Sequence, residues 1–434
     1  MERRSFLSFV SSAVISASTV MREGNSAMGL EFEVTGVPQK KPSEVESVTI
    51  QFEKLQLTPS YIDESEAVEI TVTLELDSYK STQRTDTVKI KNGESNPVQS
   101  DNINPITIDD LSIPTDESVL QGTLKIKLEH PDITETYNQE FAITAAEFIE
   151  AEGGTTVTDE TIDGQKYRIH AFESTGSGSF KINKSPSNSS IDVLLVAGGG
   201  GGGENDGGGG GAGGLIYRSN LAVSEGTYSL NIGNGGQGAP EGSSGFGESG
   251  EDTTGFGLTA IGGGGAAPQR KTARDGGSGG GAGHADSTGG EALQPSSPNG
   301  GFGSNGGQGE NGTNPPYPGG GGGGASERGK SPETPSERGD GGDGKDYSDE
   351  FTQQFGDNGL FAGGGGGGTQ SSPTSTGGAG GGGDGGHADG NSNVTNPESG
   401  QPNTGGGGGG TGEGGNQDAG NGGSGIILIR YPIS

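Results

Sequence analysis

Residues 324–331, GASERGKS, are the first candidates for chemistry because they match the pattern of a phosphate-binding loop. In such a loop glycine N–H groups cradle phosphates and the lysine, here Lys330, reaches them, provided that the loop joins a strand to a helix. A glycine run precedes this match and Pro332 follows it, so the required strand and helix are missing from the pattern. The match is attributed to chance in a glycine-rich background.

Two other patterns suggest metal ligands. The tetrapeptide Gly-His-Ala-Asp occurs twice, at His284 and His387, but a solvent-facing or capping role in a structural repeat is favoured over a metal pair. An acidic run could bind a cation loosely through oxygen ligands, although such runs are more often simply solvated. The run comprises Asp340, Asp343, Asp346 and Asp349. With no cysteine and no convincing nucleophile or base, we predict no catalytic residue, no metal site and no cofactor beyond loosely bound divalent cations.

Aromatic side chains between the glycine runs are the candidates for binding a receptor. Aromatic rings dominate recognition because they bury a large area at a low entropic cost. The candidates are Phe302, Tyr317, Tyr347, Phe351 and Phe355, in two of the three longest segments between glycine runs. For any one of them, packing at the edge of the glycine-rich region is an equally good interpretation.

The elements that position these residues have an unusual composition. Glycine accounts for 95 of 434 residues, and all but five of them lie from Gly153 onward. The hydrophobic fraction is 26%, against about 45–50% in ordinary proteins when glycine is also counted, so the second part cannot rest on an ordinary apolar core. Collagen is excluded because its glycine recurs strictly at every third residue, whereas here glycine comes in blocks.

The charge of the chain restricts its partners and its environment. The formal net charge is −32, from 57 acidic and 25 basic residues. Nucleic-acid binding draws on Lys and Arg, so it is not expected. An acidic surface of this kind suits concentrated salt, where repulsion is screened, and we therefore expect a halophilic source. No segment is long and apolar enough for us to expect a membrane span.

Residues 29–145 read as an all-β domain. In the segment 68–76 apolar residues alternate strictly with polar ones, which is typical of a half-buried antiparallel strand. Similar segments occur at 48–57, 88–90, 124–128 and 141–143. About seven short strands without helical periodicity predict an immunoglobulin-like β-sandwich.

The remainder of the chain is predicted to be a glycine-rich core with β-strands before and after it. Strands are predicted at 167–172, 179–182 and 191–197, within a strand cluster at 146–197, and a closing strand at 426–431 ends the domain 198–434. Glycine runs lie between them, at 198–203, 207–211, 262–265, 319–324, 363–368, 380–383 and 405–410. Only glycine lets extended three-per-turn threads approach within hydrogen-bonding distance on all sides. We therefore predict packed polyglycine-II-type helices rather than a disordered tail, which composition alone would also allow.

The order of several strings in this region resembles a known family. The strings are YRIHAFESTGSGSFKI, IDVLLVAGGGGGG, FGLTAIGGGGA, NGLFAGGGGGG and GGSGIILIRYPIS. Over residues 156–434 they resemble the glycine-rich domain of tail-fibre and adhesin proteins of tailed viruses. The resemblance implies a sandwich of polyglycine-II helices whose loops at one end recognise receptors on the host surface. This chain departs from that pattern in its acidity and its long polar segments.

Two functions therefore stay open, and neither is enzymatic. The first is a viral fibre or spike whose inter-glycine loops bind a host glycan or protein, while the N-terminal domain attaches to the virion. The second is an exported surface or matrix adhesion protein of a halophilic archaeon. Arg3 and Arg4, followed by a mildly apolar stretch, make residues 1–28 a candidate twin-arginine signal or N-terminal arm. Both functions imply a virion-surface or extracellular location, and both are compatible with a homo-oligomer.

Overall fold

The regular secondary structure of the protein is almost entirely antiparallel β. The computed structural model describes residues 148–433, except 187–188, 244, 286, 314, 371–373, 389–393 and 415–416, and before residue 148 it describes the backbone of nine strands. The chain divides into two compact units, Met1–Glu147 and Phe148–Ile433. One helix, α1, of only four residues (Ser348–Phe351) occurs in the described part. The all-β prediction is confirmed.

The first unit contains two antiparallel sheets. Its strands are β1 (Ala13–Ile15), β2 (Met28–Val37), β3 (Ser47–Leu57), β4 (Ala67–Leu76), β5 (Thr82–Lys89), β6 (Val98–Ser100), β7 (Ile106–Asp109), β8 (Val119–His130) and β9 (Ile133–Thr144). One sheet has the order β1-β2-β3-β6, with β7 also paired to β3, and the other has the order β5-β4-β8-β9. Every strand segment predicted in this region overlaps one of these strands. The immunoglobulin-like sandwich stays a prediction, and most of the 1–28 arm lies outside the described residues.

The second unit begins with two five-stranded sheets. Its strands are β10 (Glu150–Glu152), β11 (Thr156–Ile162), β12 (Gln165–Phe172), β13 (Gly176–Lys184), β14 (Ser190–Val196), β15 (Leu215–Ala222), β16 (Gly226–Ile232), β17 (Thr253–Gly255), β18 (Leu258–Ala260), β19 (Lys345–Asp346), β20 (Leu360–Phe361), β21 (His387–Ala388), β22 (Val394–Thr395) and β23 (Ile426–Pro432). The sheets have the orders β10-β13-β16-β17-β18 and β11-β12-β23-β14-β15, and β19-β20 and β21-β22 form two-stranded ribbons. The predicted closing strand is β23, which lies between β12 and β14 at the centre of its sheet.

The two sheets pack face to face over one apolar core. Val193 and Leu195 of β14 point toward the other sheet, where they join a buried cluster with Phe180 of β13 and Leu230 of β16. The alternate residues of β14, such as Leu194, are equally buried in a second cluster on the opposite face. Burial on both faces explains why β14 and β23 read as nearly continuous apolar runs rather than as alternating ones.

The glycine run that follows β14 makes hydrogen bonds with a period of three residues. Successive N–H groups donate to three different segments, and the fourth donor returns to the first segment. The bonds run from Gly198 to Glu251, Gly199 to Gly423, Gly200 to Gly211, Gly201 to Glu248, Gly202 to Gly420 and Gly203 to Gly208, with lengths of 2.8 to 3.1 Å. Three residues per turn is the repeat of the polyproline-II conformation, which polyglycine shares.

The carbonyl groups of the same run reach three further segments. The carbonyl groups of residues 198 and 201 accept from the N–H groups of 263 and 266, those of 199 and 202 accept from 236 and 239, and those of 200 and 203 accept from 408 and 411. The thread 198–203 is therefore surrounded by six neighbouring threads, three antiparallel and three parallel. The run 363–368 donates with the same period of three. Residues 363 and 366 donate to 380 and 383, residues 364 and 367 to 342 and 339, and residues 365 and 368 to 210 and 207. The predicted polyglycine-II packing is confirmed, and we call this array of threads the lattice.

Close approach makes glycine necessary in the lattice. A Cβ placed on any residue of 198–203 would lie less than 3.0 Å from the backbone carbonyl group of a neighbouring thread, a distance that real Cβ atoms do not tolerate. Backbone hydrogen bonds thus take the place that side-chain packing holds in an ordinary core.

Candidate functional site

Side chains reappear where the threads reverse at the end of the lattice remote from the sheets. The thread 198–203 turns back through 204–206 into the thread 207–214, which returns to β15. Loops from elsewhere in the sequence join this turn through backbone bonds, from Gln269 to Asn205 (3.2 Å) and from His284 to Asp206 (2.9 Å). We call this end the tip. It comprises residues 204–206, 242–245 (except 244), 268–270, 283–285, 310–318 (except 314), 369–370 and 411–413.

Tyr317 is the predicted receptor-binding residue that lies at the tip. Its ring stands 4.4 Å from the ring of His284, at 42° between the planes, and is half-buried. Its hydroxyl donates to the Thr313 carbonyl oxygen at 3.0 Å. Its backbone has a φ of 50°, in the left-handed region that bulky residues rarely adopt. The ring is therefore held in one position, with part of its surface free for a partner.

His284 supports Tyr317 from inside the tip. Only 3% of its surface is exposed. Its Nδ1 lies 3.2 Å from the Gln269 amide nitrogen, which is a donor, and its Nε2 lies 3.0 Å from the Gly312 carbonyl oxygen. With the Gln269 amide as donor, Nδ1 is the acceptor and Nε2–H is the donor to the Gly312 carbonyl oxygen. Glu310, also buried, lies 3.3 Å from the same Nε2. The ring is thus part of the packing of the tip and does not face solvent.

His387 has different surroundings. It belongs to the β21-β22 ribbon, and its Nδ1 lies 2.9 Å from the Thr395 hydroxyl. No described contact joins it to His284. Within the residues that the structure describes, no three His, Asp or Glu side chains are grouped as metal ligands would be.

Asp206 holds three tip loops together from a fully buried position. Its Oδ1 accepts the Glu413 backbone N–H at 3.0 Å, and its Oδ2 accepts from the Gln370 amide at 2.9 Å. Burial raises the pKa of this carboxyl to about 7, with the two hydrogen bonds opposing the shift. The residue was not among the sequence candidates, although the three-residue gap between two glycine runs was a signal for a thread reversal at this position.

The other four predicted residues lie near the sheets. Phe302 pairs through its backbone with Leu215, the first residue of β15, and its ring is 39% exposed with the Lys345 ammonium 4.2 Å from the ring centroid. The thread 207–214 separates this position from the tip, a span of ~22 Å at ~3.1 Å per residue. The structure therefore does not bring Phe302 and Tyr317 together.

Tyr347, Phe351 and Phe355 are buried, with exposures of 5%, 0% and 3%. They cover the outer face of the β14-β23 sheet, and the Tyr217 ring lies 5.1 Å from Tyr347 and 6.2 Å from Phe351. These rings are buried although their neighbours in the sequence are polar, because they cover an apolar sheet face that would otherwise be exposed to water. Side chains in these positions offer no surface to a receptor, which narrows the candidates to Tyr317 and Phe302.

The phosphate-loop match also has a structural explanation. Residues 324–331 form bends rather than a strand-to-helix turn, and the Lys330 ammonium pairs with Asp340 at 2.7 Å. Burial alone would raise the pKa of Asp340, but the hydrogen bonds from Lys330 and from the Thr376 N–H outweigh burial and lower it. Asp343 and Asp346 accept backbone N–H groups as well. Asp340 and Asp343 thus anchor the segment 376–379, whereas Asp346 accepts the N–H of Ser348 in its own turn.

Comparison with known proteins identifies the family. In the described part of the chain, no helix has both the length and the apolar character needed to cross a bilayer. Comparison with curated proteins gives no match. The family defined as the glycine-rich domain matches residues 174–432, which is more than half of the chain and includes the lattice and the strands from β13 to β23. The chain therefore belongs to the glycine-rich domain family.

Proposed function

We propose that the protein is a non-enzymatic recognition protein, a tail-fibre- or spike-like adhesin whose tip loops bind a receptor on a host surface. The observation that carries the proposal is the contrast between the lattice and the tip. The lattice interior consists of glycine threads without side chains, whereas the tip gathers side chains from distant parts of the chain onto one end. Such an arrangement supports recognition at one end of a rigid body.

The polar groups of the tip favour binding over catalysis. The carboxylate of Asp206 and the imidazole of His284 are both engaged with loop groups inside the tip. A general base needs a free lone pair within reach of a substrate. A glycan or protein receptor, by contrast, needs only a preorganised surface such as the exposed part of Tyr317.

The proposed setting is the surface of a virus with a halophilic host. The net charge of −32 supports work in concentrated salt. In this proposal the first unit attaches the chain to the virion, and divalent cations act only as counterions. A homo-oligomer would multiply weak contacts at the host surface.

Binding of the labelled full-length protein to a panel of halophilic archaeal and bacterial cells, in their own growth salt, tests the proposal. We expect saturable binding to some strains. Tyr317→Ala should weaken it ~10-fold, as expected for a recognition residue worth ~1.4 kcal/mol. Phe302→Ala, which removes a partly exposed ring from the other end of the lattice, is the matched control. Equal binding by wild type and Tyr317→Ala, or a loss with Phe302→Ala alone, would contradict recognition by the tip.

The second candidate is an exported cell-surface or matrix adhesion protein, which the Arg3-Arg4 sequence favours. Mass spectrometry of the N-terminus of the native protein separates the two. A protein recovered from virions with Met1 intact supports the viral fibre, and a protein recovered from cell envelopes with an N-terminus after Ala17 supports the exported one.

A further inference from the structure

A short strip of positive charge runs along the lattice from the tip. Arg270, Lys271 and Arg274 follow one another closely in the sequence, and all three side chains are exposed. The segment 253–274, which ends with them, contains no acidic residue, although the chain has 57 acidic residues and a net charge of −32. We call residues 270–274 the basic strip. Its charge is a local exception on an acidic protein.

No described acid neutralises the basic strip. Within the part of the chain that the structure describes, none of its three cations forms an ion pair, whereas Arg168, Lys330 and Arg430 each pair with an aspartate. Asp275, which directly follows the strip, accepts the Glu291 backbone N–H at 2.7 Å instead. The positive charges of the strip are therefore available to a partner.

The lattice fixes the backbone of the basic strip. The N–H groups of Arg270, Ala273 and Gly276 donate to the carbonyl oxygens of 284, 288 and 291, at 2.8, 3.0 and 3.2 Å. This period of three is that of a lattice thread, with ~3.1 Å between successive residues, so the strip is ~12 Å long. The Arg274 guanidinium also lies 5.5 Å from the centroid of the Phe246 ring. A ligand therefore binds without having to order this backbone.

The first residue of the basic strip shares a support with Tyr317. Arg270 donates its backbone N–H to the His284 carbonyl oxygen, and the Tyr317 ring lies 4.4 Å from the His284 ring. Arg270 and Tyr317 both have a left-handed backbone, with φ of 61° and 50°, which is uncommon for residues other than glycine. One buried histidine thus holds both residues, and the strip is continuous with the tip.

The surroundings of the basic strip indicate the class of ligand. Arginine and lysine bind carboxylate and sulfate groups through charge-assisted hydrogen bonds. The exposed hydroxyls of Thr272 and Thr288, 3.1 Å apart, add neutral donors and acceptors.

Two kinds of macromolecule fit the basic strip poorly. Protein interfaces are centred on buried aromatic and apolar side chains, and none of the large hydrophobic side chains that are exposed in the described residues lies in the strip or in 284–288 beside it. A nucleic acid is disfavoured because the net charge of −32 repels a long polyanion. A hydrated ligand with a few negative charges fits best.

We propose that the basic strip binds the carboxylate or sulfate groups of an acidic saccharide. The proposal rests on the proposed function for the source of the saccharide and gives the chemical class of the receptor. Concentrated salt is compatible with it, because the screening length is ~3 Å at 1 M. Repulsion by distant acids is then screened, and anions in direct contact with the cations are still attracted.

Titration calorimetry of the full-length protein at ~1 M salt tests the strip with a short oligogalacturonate, a sulfated oligogalactan of similar length and an uncharged oligogalactose. We expect binding of at least one acidic probe and no binding of the uncharged one. Arg270→Gln combined with Lys271→Gln should weaken binding ~10-fold or more, because two charge-assisted contacts are lost. Both residues are exposed and unpaired, so the melting temperature should not change.

Lys166→Gln combined with Lys181→Gln is the matched control. It removes the same charge from exposed positions on β12 and β13, and should change the affinity less than ~2-fold, because these charges are screened from the strip. Equal weakening by the two double variants, equal binding of the uncharged probe, tighter binding of an oligoglutamate peptide, or no binding of either acidic probe overturns the proposal.

The cell-binding assay separates this proposal from the proposed function. If Tyr317→Ala loses cell binding while the Arg270 and Lys271 double variant binds cells like the wild type, the adhesin stands and the acidic saccharide is refuted as its receptor. If an acidic probe binds the strip but no cell of the panel is bound, the strip stands and the adhesin is contradicted.

Discussion

Replacing the buried carboxyl of Asp206 by an amide should stabilise the second unit, and the gain should depend on pH. The side chain is fully buried, and its pKa is raised by burial from 3.8 to about 7. Between these values the folded state binds more protons than the unfolded chain, so the stability of the wild type falls as pH rises through this window. Asp206→Asn carries no titrating proton and should lose this slope.

The size of the gain follows from the shift in pKa. A difference of about 3 pK units corresponds to ~4 kcal/mol at ~1.4 kcal/mol per unit, and this is the upper limit of the gain at pH 8. The packing supports the substitution. An asparagine oxygen can accept the Glu413 N–H, and asparagine tolerates the φ of 49° at this position. Turning the Gln370 amide to match gives up the hydrogen bond that it also donates to the Glu413 carboxylate at 2.7 Å, and this loss keeps the gain below its upper limit.

Calorimetry at constant high salt, between pH 4 and pH 8, measures the effect. At ~2–4 °C per kcal/mol, Asp206→Asn should melt about 10 °C above wild type at pH 8 and at nearly the same temperature as wild type at pH 4. Comparison at each pH removes contributions from other groups that both proteins share. A gain that is equal at the two pH values, or a loss at pH 8, would refute the assignment of a costly buried carboxylate.

Asp340→Asn is the matched control with the opposite sign. Asp340 is also nearly buried, but its pKa is lowered, because the bonds from Lys330 and Thr376 outweigh the effect of burial. Its ionised form therefore stabilises the folded state above pH 3.8, and this contribution is lost as pH falls through the lowered pKa. The amide variant should melt below wild type by a similar amount at every pH from 8 to 4, and the difference should shrink only when the scans are extended below pH 3.8.

Three further predictions concern the packing of the second unit. Gly201→Ala should prevent folding or lower the melting temperature by more than 10 °C, because its Cβ would meet the Gln237 carbonyl group. Gly178→Ala is the control and should change the melting temperature little, because its Cβ would lie 3.5 Å from the nearest atom. Melting followed by circular dichroism compares the two variants, and equal melting temperatures would contradict the lattice. Phe351→Ala should cost ~3–5 kcal/mol as a fully buried ring, measured by urea unfolding, and a cost under ~1 kcal/mol would mean that the ring is not packed. Burial lowers the pKa of His170 from 6.5, so the folded state binds fewer protons than the unfolded chain and the stability of the wild type should fall as pH drops from 7 to 5. His170→Gln should lack this pH-dependent contribution in the same calorimetric series. A variant with the same pH profile as the wild type would contradict the assigned shift.

Local periodicity predicted the elements but not their partners. The alternation at 68–76 and the apolar runs at 191–197 and 426–431 correspond to β4, β14 and β23. The glycine runs correspond to threads because no other residue fits their spacing. Which thread neighbours which could not be predicted, since glycine runs are identical in sequence and any of them could occupy any place in the lattice.

The burial of Tyr347, Phe351 and Phe355 could have been predicted from a feature of β23. The run IILI in β23 has no alternation, and a strand without alternation is buried on both faces. A second layer was therefore required to cover one face of this sheet. The aromatic segment between two glycine runs was available for that role, and packing at the edge of the glycine-rich region was one of the two interpretations of its rings. Only the acidic run of this segment was interpreted as solvated. Tyr217, the partner of both Tyr347 and Phe351, lies in β15, which alternation alone did not reveal.

The lattice and the tip differ in what substitutions they permit. In the thread 198–203 every Cβ would strike a neighbouring backbone, so a change at any of these positions disturbs several threads at once. At the tip, the exposed part of Tyr317 and the outer loop positions meet only solvent, and their replacement leaves the threads intact. Under the proposed function, receptor specificity can therefore change at the tip at little cost to folding. Asp206 and His284 are intermediate in the substitutions that they permit. Both are buried and hold the tip loops in place, so under the proposed function they affect the receptor only through those loops.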